Sequence, residues 1–170
     1  MTKIIYIISE SPAYELYDEA EHDDVQWIKT GNRPIGVFEA DWGVRLGKAV
    51  LKETDQFAFE VWRPDTRADK LYTYEFENGL IHKSFPANNI YVNNSSILFS
   101  EQLLVDLKNE KDVIIHGGLQ SEIFWYIGIQ NRNVPFVATS HGSGFLPINK
   151  LFKLRKNLLQ YYIISKQHLL

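Results

Sequence analysis

The stretch that decides the fold is residues 112–142, "DVIIHGGLQSEIFWYIGIQNRNVPFVATSHG". Its first seven residues are a short β-branched run closed by two glycines, which reads as a strand. "SEIFWYIGIQNRN" (121–133) follows with helical spacing, and "PFVATSHG" (135–142) returns to a strand. The same alternation continues with "INKLFKLRKNLLQ" (148–160) as a helix and "YYIISK" (161–166) as a strand. Short buried strands alternating with helices predict an α/β fold, a parallel sheet with helices on both faces. Right-handed crossovers place the strand C-termini on one edge, where open α/β sheets bind ligands. His116-Gly117-Gly118 and His141-Gly142 fall at strand ends on that edge.

Working back toward the N-terminus, "KIIYIIS" (3–9) predicts a first strand buried on both faces. "DWGVRLGKAVLKET" (41–54) carries a helical apolar stripe with Asp41 as N-cap, and "FAFEVWRPD" (57–65) is a second strand terminated by Pro64. Between the first strand and that helix, residues 10–36 read as a long irregular connection with one helical turn. "LYTYEFENGLIHKSF" alternates around Asn78-Gly79 and predicts a β-hairpin near 71–86, an insertion into the βα pattern. "SSILFSEQLLVDLKNE" (95–110) predicts a helix.

Composition narrows the function classes. The 170 residues are 45% hydrophobic and 23% charged, as expected of one globular domain spanning 1–170. A net charge of -3 argues against nucleic acid as a partner. There is no cysteine, so disulfides and thiolate metal sites are excluded. The histidines at 22, 82, 116, 141 and 168 have no metal-ligand spacing, and no metal is expected. P-loop, dinucleotide and nucleophile-elbow motifs are all missing. The apolar run at the N-terminus stops at Glu10, short of the roughly 7–15 residues of a secretory segment and the 20 of a spanning helix. A cytoplasmic location is expected. Residues 150–159 mix Lys150, Lys153, Arg155 and Lys156 with leucines, which suits peripheral contact with the inner face of a membrane or a surface helix packed on the sheet.

Two short segments carry the candidate chemistry. Gly117 and Gly118 read either as amides cradling an anion at a helix N-terminus or as a tight turn. His141 can exchange a proton near neutral pH, and Ser140, Gly142 and Ser143 surround it with hydroxyls and open backbone. That set suits a polyhydroxylated ligand; the structural alternative is a capping histidine.

Together, "RPIGVFEADWGVRLGKAVLKETDQFAFEVWRPD" (33–65), "DVIIHGGLQSEIFWYIGIQNRNVPFVATSHGSG" (112–144) and "YYIISKQHLL" (161–170) resemble the N-terminal half of a family 4-like, GT-B-type glycosyltransferase. The resemblance implies a Rossmann-like acceptor-side domain, with a C-terminal donor-binding domain lying outside this chain. It implies transfer of a sugar from a nucleotide-diphosphate sugar to a glycan or lipid-linked acceptor, with retention and without a cofactor. His141 is then expected near the transferred sugar as the catalytic residue. Gly36 and its neighbours are expected near the donor phosphates, with His116, Gly117, Gly118, Ser140, Gly142 and Ser143 binding substrate. Where the family usually has two adjacent glycines in its first loop, this chain has Ile35-Gly36. The alternatives are a GT-B-fold sugar-nucleotide epimerase and a self-contained non-catalytic α/β binding module.

Overall fold

A computed structural model describes residues 1–8, 12–17, 22–31, 33–92, 95–118, 127 and 134–139. The helices expected over 121–133 and 148–160 and the strand over 161–166 lie outside the described residues, apart from Ile127, which is helical. So do Ser140, His141, Gly142, Ser143 and the membrane-contact segment 150–159.

The fold is α/β with a mostly parallel central sheet. Strands β1 (Thr2–Ile7), β4 (Phe57–Asp65), β6 (Ile81–Pro86), β9 (Val113–Gly118) and β10 (Phe136–Thr139) run parallel, and β5 (Tyr72–Glu75) closes one edge antiparallel. Their order is β10-β9-β1-β4-β6-β5. Taking the parallel strands alone, successive strands step outward from β1 to β4 to β6, then return to its other side as β9 and β10. This is a Rossmann-like order, and the C-terminal ends of β1 and β9, where the order reverses, are the place at which open α/β sheets bind ligands.

Among the described residues, one helix covers each face of the sheet. Neighbouring strand residues point to opposite sides, so Ile5 and Ile7 of β1 join Trp62, Phe85 and Ile115 on one face, under Leu103, Leu104 and Leu107 of α2 (Glu101–Asn109). Tyr6 joins Phe59 and Val61 on the other, under Val44 of α1 (Trp42–Glu53). Trp62, Phe59, Phe85 and Leu103 are buried to within 2%. Each such side chain contributes about 1.5–3 kcal/mol on leaving water. The ionic groups near the strand beginnings are paired with each other. Lys3 contacts Glu60 and Glu110 at 2.9 and 2.8 Å, Lys83 reaches Glu60 at 2.7 Å, and the Trp62 indole N–H donates to Glu60 at 2.7 Å. Burial pushes the Glu60 carboxyl up, but the hydrogen bonds from Lys3, Lys83 and Trp62 outweigh it and hold Glu60 below its usual range.

Several expectations need correcting. The 71–86 hairpin forms, with Gly79 at φ +80 in the connection and its N–H bonded to the Phe76 carbonyl at 2.9 Å. It is not an insertion, however: β6 pairs in parallel with β4 over Glu60–Asp65 and is a central strand of the sheet. The residues expected to open a helix at 95 instead form β8 (Ser95–Phe99), paired antiparallel with β7 (Asn88–Val92). The helix begins only at Glu101, because the Ser100 hydroxyl accepts the Leu103 N–H at 3.2 Å and caps it there.

The 10–36 connection contains the expected helical turn at Tyr14–Leu16, but also β2 (Val25–Ile28) against β3 (Ile35–Phe38). Nor does Pro64 end β4, which continues to Asp65. The Ile8 N–H bonds the Trp62 carbonyl at 2.9 Å, so Trp62 and Pro64 turn their backbone polar groups toward β1. Strand β1 stops at Ile7, beside Trp62. Pro64 therefore sits where no ladder donor is required. Asp41 occupies the N-cap position of α1 without a capping hydrogen bond, since its carboxylate is taken by Arg63.

Candidate functional site at the C-terminal sheet edge

At the reversal point, Ile7 pairs with Gly117 and Tyr6 with His116, while β10 brings Ala138 and Thr139 beside Gly117 and Gly118. His116 is half-buried, its ring edge-on to Tyr6 with centroids 4.9 Å apart. Its Nε2 lies 3.3 Å from the Thr139 hydroxyl, which donates to the Gly117 carbonyl at 3.4 Å. The single Thr139 proton serves one of these two contacts at a time, so the direction of the His116–Thr139 bond follows the tautomer of the ring. Burial, followed by the Asp41 charge, raises the pKa of the Tyr6 phenol, keeping it a neutral hydroxyl.

Gly117 and Gly118 are the last two residues of β9 and lie in the ladder, and the segment expected to start a helix after them lies outside the described residues. Among the described residues, nothing stands within 4 Å of the point a Gly118 Cβ would occupy. His116, Gly117 and Gly118 are thus brought together, with Thr139 one residue before Ser140. Ser140, His141, Gly142 and Ser143 lie outside the described residues.

Gly36 belongs to a different part of this edge. It sits in β3 opposite Trp27, and its N–H donates to the Tyr14 hydroxyl at 3.2 Å. A Cβ there would meet Phe38 at 3.0 Å and Val25 at 3.1 Å, so this glycine serves close packing. The Tyr14 hydroxyl in turn donates to Asp65 Oδ2 at 2.5 Å. Burial first, then the Asp65 charge and hydrogen bond, drive the Tyr14 pKa far above its usual value. Asp65 Oδ1 accepts the Arg67 N–H at 2.8 Å, and the Arg67 guanidinium lies 3.5 Å from the Tyr14 ring centroid. The end of β4 therefore fastens the β2–β3 hairpin over the sheet edge.

Beneath this fastening lies a buried polar group that the sequence reading did not pick out. Arg63 pairs with Asp41 and faces the Phe38 ring at 5.6 Å. Its Nε and Nη1, both ring nitrogens of His82 and the Ser84 hydroxyl are buried without hydrogen-bond partners among the described residues. Burial, then the Arg63 charge, pushes the His82 pKa well below its usual value, so the ring is neutral. The available signal was in β4 itself, where "FAFEVWRPD" interrupts a buried apolar strand with Arg63 and ends it in Asp65. Charge in a two-sided buried strand is costly unless paired, and marks positions worth inspecting.

Among the described residues, no group of three or more His, Asp or Glu side chains could hold a metal ion. No helix among them is long and apolar enough to cross a membrane. What the edge offers among the described residues is hydroxyls, a histidine and two glycines at the reversal point, which can orient a polar ligand by short hydrogen bonds. No family model, no curated protein and no solved structure matches the chain.

Proposed function

We propose that this chain is the acceptor-side domain of a retaining, GT-B-type glycosyltransferase of the family 4-like group. It would work with its own C-terminal domain on a nucleotide-diphosphate sugar and a glycan or lipid-linked acceptor. The observation that carries the reading is the strand order: it reverses between β1 and β9, and β9 ends there in His116-Gly117-Gly118. Beside it, β10 ends at Thr139, and "SHGSG" follows directly in sequence.

In this reading the chemistry demands little of a protein nucleophile. The sugar departs from diphosphate through an oxocarbenium-like state, so catalysis rests on holding the acceptor hydroxyl in line and stabilising the developing charges. His141 hydrogen-bonds the transferred sugar. His116, whose Nε2 lies 3.3 Å from the Thr139 hydroxyl, orients the acceptor at this sheet edge. No metal or organic cofactor is required, because the C-terminal domain supplies the donor's phosphate contacts.

The test is nucleotide release by the full-length gene product from a panel of nucleotide sugars, with and without acceptors. Release coupled to a glycosylated product is expected. His141→Ala should lower turnover by about 100-fold or more, with an unchanged circular dichroism spectrum. Wild-type turnover in that variant removes the role given to His141. An interconverted sugar without transfer would reassign the protein to the epimerases, and no turnover with any donor would favour a binding module.

A further inference from the structure

The buried polar group of Arg63, His82 and Ser84 is rich in hydrogen-bond donors. Val61 packs beneath α1, and side chains alternate along a strand, so Arg63 projects to the same face. Ser84 is the register partner of Arg63 and His82 that of Val61, which places all three side chains on the α1 face of the sheet. His82 and Ser84 are fully buried and Arg63 nearly so. Arg63 Nε and Nη1, both His82 ring nitrogens and the Ser84 hydroxyl have no hydrogen-bond partner among the described residues. A guanidinium, a hydroxyl and a neutral imidazole thus offer donors from three side chains at one place. Buried donors left unpaired are costly, and their complement is an occupant with several acceptor oxygens.

Asp41 fills part of that role from within the chain. The one remaining guanidinium nitrogen, Arg63 Nη2, donates to its carboxylate. The Asp41 side chain is 27% exposed against 3% for Arg63, so solvent reaches the pair from the Asp41 side. Asp41 also stands at the N-cap of α1 with extended backbone, φ -58 and ψ 139, yet its side chain caps nothing. A carboxylate at an N-cap has a second place to go, the free amides of the first helical turn, here those of Gly43 and Val44. An incoming oxyanion can take the Arg63 position while Asp41 rotates to cap α1, its backbone already extended for that task.

We propose that Arg63, Ser84 and His82 form a binding site for a tetrahedral oxyanion of the phosphate class, which the Asp41 carboxylate fills until the anion replaces it. Donors from three side chains suit a phosphate better than a carboxylate, which has only two oxygens. The site goes beyond the glycosyltransferase reading and does not depend on sugar transfer.

The test exchanges the internal carboxylate for an external anion. Asp41→Asn keeps a good N-cap residue and removes the charge from Arg63. Melting temperature is followed against inorganic phosphate at neutral pH and constant ionic strength, with acetate as the carboxylate control. Phosphate should stabilise Asp41→Asn saturably and bind it about tenfold or more tighter than the parent, because the internal competitor is gone. Acetate should act more weakly. Adding Arg63→Met to Asp41→Asn should abolish the saturable response, and adding Ser84→Ala should weaken it several-fold. Equal responses of the parent and Asp41→Asn, a response that survives Arg63→Met, or a preference for acetate overturns the site. If Asp41→Asn does not fold in chloride, phosphate should restore its fold and acetate should not; a variant that stays unfolded in phosphate also overturns the site. Uridine diphosphate glucose in the same titration identifies the source of the anion. Tighter binding than inorganic phosphate assigns the site to a nucleotide's phosphates, and weaker binding assigns it to free phosphate.

Discussion

The Tyr14 hydroxyl donates to the Asp65 carboxylate at 2.5 Å and accepts the Gly36 N–H at 3.2 Å, joining three chain segments through one oxygen. Residues 51 positions apart thereby hold the β2–β3 hairpin against the end of β4. All of this is buried, so removing the oxygen leaves a carboxylate and an amide short of a partner. Tyr14→Phe should cost about 1–3 kcal/mol, a fall of roughly 2–10 °C in melting temperature for a chain of this size. Asp65→Asn keeps an acceptor for Tyr14 and should lose less. Equal stability of Tyr14→Phe and the parent would mean the contact does not hold the hairpin.

The Arg63–Asp41 pair predicts a rescue. Removing Asp41 alone leaves a buried guanidinium uncompensated, at a cost of about 3–5 kcal/mol. Replacing Arg63 with methionine fills similar volume without a charge. Asp41→Ala should therefore be more destabilising than Asp41→Ala combined with Arg63→Met, as read by urea unfolding. Simple additivity of the two substitutions would contradict the pairing.

His82 makes stability depend on pH in a window of its own. Its folded-state pKa lies well below 6.5, so the unfolded chain takes up a proton near pH 6.5 while the folded chain does not. The sign follows: the contribution is fully present above pH 6.5 and falls away as pH drops below it, by up to about 1.4 kcal/mol per pH unit. Glu60 acts in a lower window. Its folded pKa is below 4.5, so its contribution is present above that value and is lost as pH falls through the folded pKa. His82→Gln should flatten the stability profile between pH 6.5 and 5 and leave the lower limb in place. Denaturant unfolding at half-unit steps of pH checks both limbs; an unchanged upper limb in the variant would exclude His82 as its source.

Gly47 tests the packing of α1 on the sheet. An alanine Cβ there would lie 2.6 Å from Leu80 and 2.7 Å from Phe59, both in the core. Overpacking costs about 1–3 kcal/mol, against a gain in helix propensity of about 1 kcal/mol. Gly47→Ala should lower the melting temperature, whereas Gly31→Ala, with nothing within 4 Å among the described residues, should leave it nearly unchanged. A stabilised Gly47→Ala would mean that α1 does not approach the sheet this closely.

Much of the architecture is local in origin and was legible from residue order alone. β1, β4, β9 and β10 are short apolar runs, α1 has a helical stripe, and Asn78-Gly79 supplies the left-handed backbone its turn needs. The same locality misled the reading of 95–110. "SSILF" is apolar enough to open a helix, and only pairing with Asn88–Val92 and the cap at Ser100 made it a strand. The position of β6 was equally hidden. Its hairpin with β5 is written in the sequence, but its parallel pairing with β4 depends on a partner some 20 residues away.

Sequence by itself determined the α/β class, the hairpin turn, and that His116, Gly117 and Gly118 stand at a strand end, because each follows from side-chain periodicity or backbone freedom within a few residues. Tertiary structure alone decided the strand order, the paths of Gly36 and Tyr14 onto Asp65, and the burial of Arg63, His82 and Ser84 in one polar group. Those depend on which distant segments exclude water from one another, and that is a property of the packed chain, not of any one stretch of it.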